Sequence, residues 1–487
     1  MQREATENFT KTSKRVALIV ATFGSFMTPF DGSVVTLALP SIGRELGGDV
    51  VSLGWVATAY VLGLTICVIP FGRLADIRGR GRIYALGVAL FTVASALCGM
   101  APSLNSLIAT RVIQGIAAAM MARNSIALLT SVFPANERGK VLGINTGTVY
   151  VGLSVGPSLG GFLVEHLGWR SVFYVNVPIG AVVVLLALFK LQREKIDGKA
   201  ERLDPIGIVT WGLALSMILL GLTLSESHVS AWSRTLLVSG FGALGLFIFF
   251  ETRVASPLLD LRLFKNTQFA FSTLTALLNY SSVFGVSFIL SLYLQLVPGF
   301  DAVQAGLIML AQPILMALFS PLGGRLSDRI EPRIVSSIGM SIVAASIFAL
   351  SLLGPATPWW DIALRLMVLG IGYAFFSSPN TNATMSSVDR RQYGIAAAVL
   401  STLRFTGQAI SLAVATSVLS ANLGSVVLSN RSGAQIPVDA FMNGMRFALT
   451  ILAGISAVGV FTSLIRGRIR NAPQRVMAKN LACSQKK

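Results

Sequence analysis

Asp31 is the one acid that falls deep inside an apolar run of this sequence, in Pro29-Phe-Asp31-Gly32-Ser33-Val-Val-Thr36-Leu-Ala-Leu-Pro40. A carboxylate surrounded by hydrocarbon is costly, so such an acid is either paired or holds a proton. Kept from water, a carboxyl group favours its neutral form and can pick up and release a proton. A later run holds Leu107-Ile-Ala-Thr-Arg111-Val-Ile-Gln114-Gly115. At 1.5 Å per residue, Arg111 lies about 9 Å and Asp31 about 13 Å from the outer ends of their helices. Similar depths make the two neighbours. Arg111 would then tune the proton affinity of Asp31 against the effect of desolvation, and exchange needs only that proton and substrate compete for one site. The alternative reading is a structural ion pair that does no transport chemistry.

Groups at those depths must be carried by membrane-spanning elements, and the composition supplies them. The chain has 487 residues, 53% hydrophobic and 12% charged, with a mean hydropathy of +0.71; a soluble domain carries about twice that charged fraction. Apolar runs fall at about 16–39, 51–71, 83–101, 105–132, 140–164 and 169–190, then near 206–224 and 235–250, then near 270–296, 303–322, 334–354, 361–385, 394–420 and 444–465. Each is near the ~20 residues a helix needs to cross the hydrocarbon, and they lack the alternation of barrel strands. The reading is an all-α integral membrane protein with 14 transmembrane helices. The chain divides into a cytoplasmic amino terminus (1–15), a six-helix half (16–191), a charged linker with two additional helices (192–268), a second six-helix half (269–465) and a basic cytoplasmic tail (466–487).

The net charge of +18 follows the positive-inside bias rather than a phosphate-binding face, because only Arg44, Arg170, Arg234 and Arg431 fall in loops on the outer side. Nucleic acid is therefore excluded as a partner, and both termini are expected in the cytoplasm. The first run is too long for a signal-peptide core and lacks a cleavage site, so it is read as a retained helix of an inner (plasma) membrane protein. The three cysteines, Cys67, Cys98 and Cys483, imply no disulfide framework. His166 and His228 are the only histidines, which argues against a His-built metal centre. No H-E-x-x-H, G-x-S-x-G or G-x-x-x-x-G-K-[ST] string is present, so nothing supports an enzyme or an ATP-driven pump. No cofactor is implied; the energy source would be the proton gradient, and the chain is expected to act as a monomer.

An internal repeat ties these elements together. Gly72-Arg-Leu-Ala-Asp76-Ile-Arg-Gly79-Arg80-Gly-Arg82, read as a loop between two runs, returns as Gly324-Arg-Leu-Ser-Asp328-Arg329-Ile-Glu-Pro-Arg333. A long-range repeat within an apolar chain indicates two related halves with a cavity between them near midplane. Polar and aromatic candidates for that cavity are Gln114, Asn145, Tyr150, Asn279, Tyr280, Tyr293, Gln295, Gln312, Tyr373 and Asn380, any of which could instead make a helix–helix hydrogen bond. Arg404, about 15 Å from its inner helix end, is buried in a helix contact or lines the cavity. Arg123 snorkels to headgroups or lines the inward cavity, and Arg446 is placed to snorkel at the outer side. One deep acid against several arginines argues against a site for dications and favours neutral, anionic or singly cationic amphiphiles. In the fifth run, Gly152-Leu-Ser-Val-Gly156-Pro157-Ser-Leu-Gly160-Gly161 presents bare backbone for a tight contact and a proline for a bend.

These strings resemble those of the major facilitator superfamily, and of its fourteen-helix drug:proton antiporter family in particular. The opening of the repeat is similar to G-x-L-a-D-x-x-G-R, with Ile77 where an Arg is common. Residues 31–40 resemble D-x-T-x-x-N-x-A-L-P, with Ser33 and Thr36 in place of Thr and Asn. Arg111, Gln114 and Gly115 match R-x-x-Q-G, and Arg123 stands where the family carries proline. The glycine string resembles the family's antiporter motif, and Trp169-Arg170-Ser-Val-Phe173-Tyr-Val-Asn176-Val-Pro178-Ile-Gly180 resembles W-R-x-x-F-x-x-N-x-P-x-G, read as an interface anchor and a kinked helix start. The resemblance implies a facilitator fold, export of small lipophilic compounds by proton antiport with alternating access, and a cytoplasmic gate at Gly72, Asp76, Gly79, Arg80, Asp328 and Arg329. The alternatives are a dedicated exporter of one metabolite or siderophore and, in another class, a membrane-embedded enzyme or a non-transporting sensor.

Overall fold

Among the described residues, fourteen helices are long and apolar enough to cross a membrane. The computed structural model describes residues 11–122, 124–133, 135–190, 204–223, 230–254, 257, 259, 261–388, 393–423 and 437–467. The first half comprises α1 (Lys11–Leu46), α2 (Val50–Arg78), α3 (Arg80–Gly99), α4 (Leu104–Ala122 and Asn124–Val132), α5 (Ala135–Leu167) and α6 (Ser171–Tyr174 and Asn176–Lys190). Two further helices, α7 (Pro205–Thr223) and α8 (Ser230–Glu251), precede the second half. That half holds α9 (Thr267–Leu296), α10 (Ala302–Met309 and Ala311–Arg329), α11 (Pro332–Ser351), α12 (Trp359–Ser386), α13 (Tyr393–Leu423) and α14 (Val438–Ile465). Several helices extend well past their apolar runs.

The arginine-rich stretch shows this best. It is not a loop. Gly72–Arg78 are the last turns of α2, Arg80–Arg82 the first turn of α3, and only Gly79 lies between them. Gly79 has φ +98°, a conformation that favours glycine, and its N–H still caps Ala75 O at 2.9 Å. The second copy behaves alike: 324–329 close α10, and Ile330 and Glu331 separate it from Pro332, which opens α11. This end of the molecule is called the basic end below, and its counterpart the far end.

Within the first half, α1 packs on α5, and α2 and α3 both pack on α4; α9 on α13, and α10 and α11 on α12, repeat the scheme in the second. The halves meet along three seams, α2–α13, α5–α10 and α1–α9. The two additional helices are unequal. α7 touches both α2 and α13, with Gly212 against Ile66 and the Ser417 hydroxyl donating to Leu222 O at 3.1 Å. α8 packs on α7 and is largely exposed, with Val238, Phe241 and Leu246 on its surface. The α2–α13 seam is therefore covered by a further helix that contacts both halves.

Candidate functional site

Glycines let the polar cluster assemble. A methyl at Gly115 would lie 2.1 Å from Tyr60 O, and one at Gly63 2.6 Å from Val112 O, so α2 and α4 touch backbone to backbone. At that separation the Arg111 guanidinium reaches across to α2 and donates through Nε to Val56 O at 3.0 Å. Its Nη1 donates to Asp31 Oδ2 at 2.5 Å and to Gln114 Oε1 at 2.6 Å. Gln114 Nε2 in turn donates to Asp31 Oδ1 and to Ser95 Oγ, both at 2.9 Å. Asn176 closes the set from α6, its Nδ2 donating to Asp31 Oδ1 at 3.2 Å.

Asp31 is 0% exposed and Arg111 1%. Five helices thus converge on one carboxylate that meets no solvent. A buried pair of this kind persists only where its remaining donors and acceptors are satisfied. Arg111 also lies over the Tyr60 ring, 4.3 Å from its centre, a placement that favours a cation. Matched depth placed Asp31 and Arg111 side by side in the sequence, and the structure brings them together. It also adds Ser95 and Asn176, which the sequence reading left out. Asn176 had a visible signal, an amide among apolar residues just after the Val175 break in α6.

In front of this cluster lies a cavity of about 250 Å³ between the halves, lined from α1, α2, α4, α5, α9, α10, α12 and α13. Gln312, Tyr280, Tyr373 and Arg404 line it, as expected, together with Tyr60, Phe284, Phe288, Phe405, Gln408 and the methionines Met121, Met309 and Met316. Asp31 does not. Its α1 neighbours Thr28, Gly32, Ser33 and Thr36 do, and Tyr60 lines it with the Arg111 guanidinium against its ring.

The same helix helps to close the far end. Pro40 has no N–H, so Thr36 O lacks its helical partner; Ser291 Oγ of the second half donates to it at 2.8 Å, and Gln295 Nε2 donates to Leu37 O at 3.2 Å. Pro157 likewise frees Leu153 O, which Ser33 Oγ faces at 3.5 Å. The glycine string of α5 lies along this contact. Gly152, Gly156 and Gly160 face Phe26, Ser33 and Val34 of α1 in turn, and a methyl on Gly161 would stand 2.3 Å from Ala302 O of α10. Pro157 O sits equally close to Gly306. Far-end closure is thus backbone against backbone on the α5–α10 side and serine against a proline-freed carbonyl on the α1–α9 side.

Comparison with known proteins agrees with this architecture. The sequence profile of the Major Facilitator Superfamily matches residues 21–412. The chain belongs to the major facilitator superfamily. It is 32% identical over 394 residues to the riboflavin transporter RibZ of Clostridioides difficile, covering 80% of this chain and 85% of that one. The multidrug resistance protein Stp of Mycobacterium tuberculosis is 34% identical over 420 residues, covering 85% and 77%. The cephamycin export protein CmcT of Amycolatopsis lactamdurans is 35% identical over 479 residues, covering 95% and 94%. Among solved structures, an inward-facing bacterial homologue of the lysosomal transporter Spinster superposes with a TM-score of 0.69 at 17% identity, over 94% of this chain and 98% of that one. The chain is a multi-pass membrane transporter, not an enzyme.

Several residues expected in the facilitator's cavity sit elsewhere. Gln114 belongs to the Asp31 cluster. Asn279 is buried within the second half, with Nδ2 3.1 Å from Met340 Sδ. Tyr293 is 0% exposed and donates to Gly354 O at 2.7 Å, near the far end. Asn380 accepts from Arg466 Nη1 at 2.8 Å and donates to Ser272 O at 3.1 Å. Tyr150 shares a 3.3 Å hydrogen bond with Ser320, across the α5–α10 seam. Each of these polar groups in an apolar helix has found a partner elsewhere in the protein, for all but Tyr293 a helix–helix one, the alternative the sequence had left open.

Arg466, assigned to the tail, is instead 2% exposed and also donates to Ser336 Oγ at 3.0 Å; burial pulls its guanidinium down to about 10. Trp169 and Arg170 both donate to the Glu45 carboxylate at the end of α1. Arg446 is exposed on α14. Arg123 and the side chains of Asp76 and Asp328 lie outside the described residues.

Proposed function

We propose that this facilitator exports small lipophilic compounds in exchange for protons by alternating access. On this reading it works as a monomer in the inner (plasma) membrane, with both termini and the basic end in the cytoplasm. The proton gradient is its energy source, and no cofactor takes part. The observation that carries the proposal is the buried Asp31–Arg111 pair on the helix that also lines the cavity and seals the far end.

Protonating Asp31 removes the anion that holds Arg111, Gln114 and Asn176, so α1 loses its strongest tie to α2, α4 and α6. The glycine face of α5 then lets α1 shift without side chains in the way, and the bonds from Ser291 and Gln295 move with it. Substrate against Gly32, Ser33 and Thr36 favours one position of α1, and a proton on Asp31 favours the other. Competition acts through the helix rather than at a shared atom. The α5 glycine string supports export, as do the names of the resistance and export proteins among the relatives. The turn at Gly72, Asp76, Gly79 and Arg80, with Asp328 and Arg329, would serve as the latch of the cytoplasmic side, so Asp76→Asn should disfavour the outward-open state.

The test is proton release from purified, lightly buffered protein on adding chemically unlike lipophilic compounds. Release by several of them, lost in Asp31→Asn, is expected. Binding without release would overturn the antiport. The similarity to the cephamycin export protein CmcT favours a second reading, a dedicated exporter, which release by a single compound class would select.

A further inference from the structure

Among the described residues that line the cavity, Arg404 is the one that carries charge. Its Nε is buried without a hydrogen-bond partner, and none of the ion pairs among the described residues involves it. Arg111, by contrast, is spent on Asp31, and Arg466, whose Nε is likewise unpartnered, gives Nη1 and Nη2 to Asn380 and Ser336. What surrounds Arg404 is aromatic. Its guanidinium carbon lies 4.7 Å from the centre of the Phe405 ring and 5.9 Å from that of Tyr280. Tyr280 and Tyr373 meet edge to face at 6.1 Å, and Tyr60 and Tyr150 stand within the electrostatic reach of the guanidinium.

A cation held near mid-membrane without a counter-ion among the described residues calls for an anion from outside the protein. The planar fork of a guanidinium suits a carboxylate, and flat ring faces beside it suit an aromatic body. We infer that the cavity is built for aromatic carboxylates, whose acid group pairs with Arg404 while the ring system packs among Tyr280, Tyr373 and Phe405. The same arrangement repels lipophilic cations, because no acid lines the described wall and Asp31 is sealed behind Tyr60 by its bond to Arg111. This assignment rests on the exporter reading above only for its physiological sense; binding at the subsite does not depend on proton coupling.

The experiment measures binding to the full-length protein in detergent at pH 7.5 with no gradient, using three probes of one shape: anthracene-9-carboxylate, its primary amide and 9-(aminomethyl)anthracene. The carboxylate is expected to bind roughly 10- to 100-fold more tightly than the amide, the range for a charge-assisted pair, and the ammonium compound most weakly. Arg404→Gln should erase the preference for carboxylate over amide, and a melting temperature close to that of the unmodified protein reports that the variant is folded. Arg404→Lys should keep part of the preference. Equal binding of carboxylate and amide by the unmodified protein, or tightest binding of the ammonium compound, would overturn the proposal. So would a preference that survives Arg404→Gln. Uptake of the carboxylate into inverted proteoliposomes under a pH gradient is read separately: preference without gradient-driven flux sinks the antiport and keeps the subsite, and flux without preference does the reverse.

Discussion

Arg111 makes four contacts at once, to Asp31, Gln114, Val56 O and the Tyr60 ring, and that is why its partner cannot be changed alone. Asp31→Asn keeps the shape of the side chain but leaves a buried guanidinium without its anion, a loss of about 3–5 kcal/mol for a buried pair. The single variant should therefore melt at a lower temperature in detergent and fail to release protons with substrate. Asp31→Asn combined with Arg111→Gln removes both charges and should recover most of the thermal stability while remaining uncoupled. A double variant that still drives uphill export with a pH gradient would show that coupling lies elsewhere. The three buried arginines also separate by partner: one holds an acid, one holds helix ends together, and one faces the cavity beside aromatic rings. Residue type does not distinguish these roles; surroundings do.

Helix α1 is the element in which these roles meet. It holds Asp31 and lines the cavity, and its Pro40 exposes a carbonyl that the second half captures through Ser291. Ser291→Ala leaves Thr36 O buried without its donor, a cost of about 1–3 kcal/mol, and should loosen the far-end seal. Gly161→Ala should act more strongly, since its methyl would sit 2.3 Å from Ala302 O and backbone must give way. A cysteine at Gln312, in the cavity, reports on both: a membrane-impermeant maleimide applied from the far side should label it several-fold faster in either background. Gly147→Ala, with nothing within 4 Å, serves as the neutral control. Unchanged labelling in Gly161→Ala would mean that the α5–α10 contact does not set the seal.

For the whole molecule, the pair α7–α8 makes the two sides of the transporter unlike. Of the α2–α13 and α5–α10 seams, related by the internal repeat, α7 covers the first. Because α7 touches both halves, tying it to each should stop their relative motion. In a background carrying Cys67→Ser, disulfides joining Ile66→Cys to Gly212→Cys and Leu222→Cys to Ser417→Cys should together arrest transport, reversibly with reductant. Either one alone should leave it running. Transport with both links formed would show that the halves do not move against one another at this seam.

Legibility followed the range of the interaction. Span number, the all-α class, the two halves and the family are local or periodic properties, fixed by hydrophobic length, charge bias and motif spacing, and the sequence carried them unaided. Asp31 and Arg111 could be paired from depth alone, because a helix of known rise in a slab of known thickness turns residue number into height. Rotation about the helix axis is not encoded that way. It depends on which faces pack, so of the expected cavity residues Tyr280, Gln312, Tyr373 and Arg404 line it, whereas Gln114, Tyr150, Asn279, Tyr293 and Asn380 do not. The same limit hid Tyr60 and the contact of Asn176 with Asp31, and nothing in the order of residues 28–36 says that the acid is buried while its neighbours line the cavity. The prolines at 40 and 157 were visible as breaks in the backbone ladder; which serine would take each freed carbonyl was decided by tertiary packing, because the donors come from other helices brought close by glycine.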